Sequence, residues 1–208
     1  ANPALRSATE ADAATETRSL RERLSAAGGL LRRSDIWRWM ILLECSDLML
    51  DVLFSLLALY MVDVVSVSQG EATLAVVVWT GVGLLGDLLL IPLLERVRGL
   101  RYLRFSAALM LVLYPAFLLV EPYSSKLVLL GAMGLFNAGW YAILQGQFYE
   151  ALAEQSGAVL IVGNVSGVVT ALLPLLLGVI AERFGLNTAL WLLLLGPIAL
   201  TIGLPRDK

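Results

Sequence analysis

Leu74-Ala-Val-Val-Val-Trp-Thr-Gly-Val-Gly-Leu-Leu-Gly-Asp87-Leu-Leu-Leu-Ile-Pro-Leu-Leu94 decides the fold class: 21 residues with a single charge, Asp87, far from either end. A run of about 20 mainly apolar residues, wound as an α-helix, reaches across the hydrocarbon core of a bilayer. Outward from it lie five further apolar runs: Ile36–Val62, Leu100–Val120, Leu127–Gln147, Val159–Ala181 and Thr188–Leu204. The pattern predicts an all-α membrane protein, a six-transmembrane-helix bundle over residues 36–208, behind a polar segment over 1–35. Composition points the same way. Hydrophobic residues make up 59% of the chain, mean hydropathy is +0.82 and charged residues are 15%, against roughly 25% charged in average soluble domains.

Lys and Arg set the expected orientation, because cytoplasmic loops of membrane proteins concentrate them. Arg6, Arg18, Arg21, Arg23, Arg32, Arg33 and Arg38 precede or open the first span. Arg96, Arg98, Arg101 and Arg104 surround the turn after the second, and Arg206 and Lys208 follow the last. Only Lys126 and Arg183 fall on the other face. The asymmetry places both termini in the cytoplasm of a bacterial inner membrane, with the lipid bilayer as the first partner. The start at Ala1 leads us to expect a segment of a longer polypeptide. Within 1–35, Ser19–Leu31 carries Leu20, Leu24 and Leu31 beside Arg21 and Arg23. It reads equally as a surface-lying amphipathic helix or as linker.

Several chemistries are excluded. There is no histidine, so imidazole-based zinc sites, Ser-His dyads and His proton relays are ruled out. The single Cys45 can form no internal disulfide and reads as packing. No phosphate-binding GxxxxGK[ST] loop is present. No nucleophile stands beside a catalytic base. We therefore expect no enzyme, no metal, no cofactor and no nucleic-acid partner.

The informative residues are carboxylates and amides inside the apolar runs, where charge is costly and is placed for transport, proton relay or helix pairing. Glu44, Asp47 and Asp51 recur at one-face helical spacing, continued by Ser55, Ala58 and Val62. Three carboxylates this close should not all stay ionised, and proton binding and release is their expected use. Asp87, with Gly81, Gly83 and Gly86 before it, is either a fourth proton-coupling residue or one end of a structural hydrogen bond. In the fourth run Asn137, Tyr141 and Gln145 stand at steps of four. They form a solute-facing stripe or a helix-pairing one. The fifth run has a small-residue face of Gly163, Gly167, Pro174 and Gly178, bordered by Asn164, which could reach a cavity. Pro92, Pro115 and Pro197 mark possible bends.

At this point the chain resembles the C-terminal six-helix half of a major facilitator superfamily transporter. Glu95-Arg96-Val-Arg98-Gly99-Leu-Arg101 is similar to the family's cytoplasmic acid–arginine–glycine signature, with one residue inserted and Pro92 in place of the leading glycine. Gly163-Asn-Val-Ser-Gly167 through Pro174, Gly178 and Glu182-Arg-Phe-Gly185 looks like the family's eleventh helix and turn. Phe148-Tyr-Glu150 through Glu154 looks like the exit of the tenth. The resemblance covers residues 36–204. It implies helices seven to twelve of a twelve-helix secondary transporter, with an N-terminal six-helix half as partner, on the same polypeptide or as a separate chain. It implies a cavity lined by the first and fourth spans here, and a cytoplasmic charge network of Glu95, Arg96 and Arg101. The resulting expectation is proton-coupled transport of a small solute. Two other readings stay open: a transporter-like assembly factor or complex subunit, and a self-contained six-span pore or transmembrane domain of an oligomeric exporter.

Overall fold

The computed structural model describes residues 34–152 and 172–205. The tail with Ser19–Leu31, and the Gly163, Asn164 and Gly167 group, lie outside the described residues. Every regular element described is helical. Four segments, Gln69–Leu94, Gly99–Leu119, Tyr123–Leu152 and Leu186–Gly203, are long and apolar enough to cross a membrane.

The first predicted span is helical from end to end, but in three pieces: α1 (Ser34–Asp47), one π turn (Leu48–Val52) and α2 (Leu53–Asp63). A π turn carries an extra residue and shifts the phase of everything after it. The single stripe expected from regular helical spacing therefore does not persist. Glu44 and Asp47 are 8% and 5% exposed, whereas Asp51, Ser55 and Ala58 are exposed.

The second span, α3 (Gln69–Leu94), begins five residues before the predicted Leu74. The reason is a capping box that the apolar count ignored. Ser68 Oγ accepts from the Glu71 backbone N–H at 3.3 Å, and Glu71 Oε2 accepts from the Ser68 N–H at 2.9 Å. The third span, α4 (Gly99–Leu119), stops where Glu121 precedes Pro122, a position that disfavours helix.

The fourth span is interrupted. α5 (Tyr123–Asn137) and α6 (Trp140–Leu152) flank Ala138 and Gly139. Residues 172–184 form α7, which carries exposed Pro174 and Gly178. After Gly185 the last span is also divided, into α8 (Leu186–Leu192) and α9 (Leu195–Gly203). Pro197 explains that break. It has no N–H for the Leu193 carbonyl four residues back, and its ring crowds that carbonyl. Leu193 O is taken instead by the Gly196 N–H at 3.0 Å. Pro92 and Pro115 lie within α3 and α4 without interrupting them.

α3 packs on α5, α4 lies against α5 and α9, α1 against α6 and α9, and α2 against α3. Glycine brings the α3–α5 pair together. A Cβ on Gly134 would stand 2.6 Å from Trp79 O, and one on Gly86 would stand 2.7 Å from Ala138 Cβ. Gly81 faces open space. At one end of the bundle Arg38 Nε donates to Gly203 O at 2.6 Å, and Arg104 donates to Pro205 O. The start of α1, the start of α4 and the end of α9 thus share one side, as the Lys/Arg distribution requires. Apolar side chains such as Leu85, Leu88 and Leu89 point outward from α3, on a helix that is hydrophobic all round.

Candidate functional site: a cavity at the interrupted span

Breaking a helix inside a membrane frees backbone groups that water cannot satisfy, so other protein groups must. At Ala138–Gly139 they do. Ala138 takes an extended conformation (φ −54°, ψ 138°), and Gly139 follows at φ +71°. The Gly139 N–H donates to Asp87 Oδ1 at 2.8 Å. The Tyr102 hydroxyl lies 3.1 Å from Ala138 O and 3.4 Å from Phe136 O, and donates to the nearer. The chain then re-enters helix with the Ile143 N–H on Gly139 O at 2.9 Å. Only glycine suits this corner. A Cβ there would lie 1.9 Å from Leu90 Cδ2, and the positive φ penalises any L side chain.

Beside the break lies an open cavity of ≈ 600 Å³. Asp87, Asn137, Gly139 and Tyr141 form its polar wall, and Trp79, Leu50 and Leu90 are among its apolar lining. This is the size of a small-molecule site. Asp87 leaves its second carboxylate oxygen without a hydrogen bond among the described residues. Asn137 is 3% exposed, and its Oδ1 is buried without a hydrogen-bond partner among the described residues. Thr80 turns its hydroxyl hydrogen back to Val76 O at 2.6 Å. Gln145 Nε2 lies 3.3 Å from both the Tyr141 and Tyr149 hydroxyls.

A set of carboxylates on the first span lies outside the cavity lining. Asp47 is in electrostatic contact with Asp51 and Glu44. The field of all three reaches the Tyr141 hydroxyl across the α1–α6 contact. Tyr141 therefore belongs to the cavity wall and to the surroundings of the acidic cluster at once. Of the solute-facing residues expected from sequence, Asn137 and Tyr141 line the cavity with Asp87. Gln145 sits one turn beyond, on Tyr141. Ser55 is elsewhere, donating to Val52 O at 2.8 Å, and Asn164 is outside the described residues. Glu95, Arg96 and Arg101 lie exposed around the α3–α4 turn, and no ion pair joins them among the described residues.

Sequence reasoning missed Gly139, Tyr102 and Trp79. A signal existed for Gly139, an Asn-Ala-Gly triplet centred in an apolar run. Tyr102 and Trp79 had none, since their roles depend on residues far away in the chain. The burial of Lys126 had no signal in the sequence either. This residue is 3% exposed and donates to Tyr60 Oη at 3.0 Å and Phe117 O at 2.7 Å. Its Nζ also sits 5.2 Å and 5.0 Å from the centres of the Tyr60 and Phe117 rings. Trp140 points away from the cavity, with Nε1 donating to Ser106 Oγ at 2.8 Å. Set against protein-family models, curated proteins and solved structures, the chain matches none of them.

Proposed function

We propose that this chain carries the solute-binding wall of a secondary transporter. In this reading it is built like the C-terminal half of a major facilitator superfamily protein and works in the cytoplasmic membrane with an N-terminal six-helix half. The observation that carries the proposal is the interrupted fourth span, held by Asp87 beside a cavity. Discontinuous helices whose unwound backbone borders a mid-span cavity are a recurrent way of building a transport site. A plain packing bundle has no need of such a break, which removes regular hydrogen bonds and requires two side chains to compensate. Asp47, with Asp51 and Glu44 around it, is assigned the proton-coupling role, and Tyr141 links that cluster to the solute.

The test is flux. The protein carrying this chain is reconstituted into liposomes loaded with a pH-sensitive dye. It is then offered amines, sugars and organic acids with and without a pH gradient. At least one solute should move, Asp87→Asn should slow it at least tenfold, and Asp47→Asn or Asp51→Asn should make uptake independent of the gradient. Absence of flux for every solute overturns the transport reading. Full gradient dependence in both variants removes the proton-coupling role from the cluster.

A further inference from the structure

We propose that the cavity selects a protonated organic amine with an apolar, ring-sized body; this rests on the reading of the cavity as a solute site. Among the described residues the cavity wall has one net charge, the carboxylate of Asp87, and no Lys or Arg lines it to compensate. A carboxylate bordering hydrocarbon needs a partner of opposite sign. The backbone amide of Gly139 satisfies one oxygen and leaves the other open.

The remaining polar groups favour a donor-bearing ligand. Thr80 has spent its proton on Val76 O and has only lone pairs left. A negative oxygen and a hydroxyl with only lone pairs free thus border the same cavity, the complement of an ammonium group with several N–H bonds. Trp79 and Tyr141 are the aromatic residues of the lining, a residue type that attracts a cation.

A bare metal cation is a poorer fit. It needs about six oxygen ligands, whereas the cavity wall is mostly hydrocarbon, and no cluster suited to a metal ion occurs among the described residues. The volume of ≈ 600 Å³ also leaves room for a hydrocarbon body against Leu50, Leu84, Leu90 and Ile91.

Four probes with the same body separate charge from shape: 4-phenylbutylamine, its trimethylammonium analogue, 4-phenylbutanol and 4-phenylbutyrate. Binding to the full chain in lipid nanodiscs is measured by calorimetry. The amine should bind at least tenfold more tightly than the alcohol, the trimethylammonium compound between them, and the carboxylate most weakly. Asp87→Asn should bring the amine down to the affinity of the alcohol while leaving the alcohol unchanged, which also shows that the cavity survives the substitution. Asp63→Asn, in an exposed acid away from the cavity, should change nothing. Equal binding of amine and carboxylate, an amine preference that persists in Asp87→Asn, or no binding of any probe overturns the proposal. The two readings fail separately. Amine-selective binding without flux in liposomes would sink the transport reading alone, and flux of solutes with no preference for amines would sink this inference alone.

Discussion

Gly139 and Lys126 are two residues whose side-chain chemistry, or lack of it, is fixed by the neighbours the fold supplies. Gly139→Ala must place a methyl group into Leu90 and hold an L residue at φ +71°. The backbone term alone is roughly 1–2 kcal/mol. A lower melting temperature in detergent is expected. In a double-mutant cycle, Gly139→Ala with Leu90→Ala should cost less than the sum of the two, because the second substitution removes the clash. Lys126 holds its ammonium between α2, α4 and the first turn of α5, with a phenol, a carbonyl and two rings as its partners among the described residues. Tyr60→Phe leaves one buried donor unmatched, and the same melting experiment should show a loss of about 1–3 kcal/mol.

At the scale of elements, sequence patterns located the spans far better than their interruptions. Twenty apolar residues announce a helix by composition alone. The π turn at Leu48–Val52 does not, because it is a choice of hydrogen-bond register made by packing, and its residues are as apolar as their neighbours. The Asp87–Gly139 bond joins residues 52 positions apart, so no local pattern encodes it. Pro197 was the exception: a proline inside an apolar run predicts a bend, and the helix divides four residues before it. The start of α3 was legible too, had the Ser68–Glu71 spacing been weighed. Ser68→Ala should cost about 1 kcal/mol by removing the cap, read as earlier amide exchange over the first turn of Gln69–Leu94. Exchange in α4 is the internal control and should not change.

For the whole molecule, the arginine distribution and the folded contacts concern the same end of the bundle. Arg38 and Arg104 bind the backbone at the end of α9, and Arg98 opens α4 beside them in the chain. If that end is cytoplasmic, its residues are shielded from outside reagents in intact cells. With Cys45 replaced by Ala, Glu121→Cys in the α4–α5 connection should react with an impermeant maleimide in intact cells, and Arg98→Cys only after permeabilisation. The reverse pattern would invert the orientation. The sequence showed which end the basic residues share. It could not show that α1 pairs with α6 and α2 with α3, which is a property of the assembled bundle.

The three interruptions lie near one another. Leu50, in the π turn, borders the cavity with Asn137 and Gly139. Gly196, at the start of α9, presses on Cys45 O at the end of α1. α3 and α4 pass this level unbroken. Mechanically, the described residues make a spine of two stiff rods with three jointed staves. The joints share one waist, so the half-staves below it, α1, α6 and α9, already packed together, can tilt as a block. A half-stave of 15 residues such as α5 is a lever of about 22 Å, and a tilt of ~5° would carry its tip ~2 Å. Flexure at the waist would therefore widen one mouth of the bundle by about an atom's breadth while the rods keep their place in the lipid.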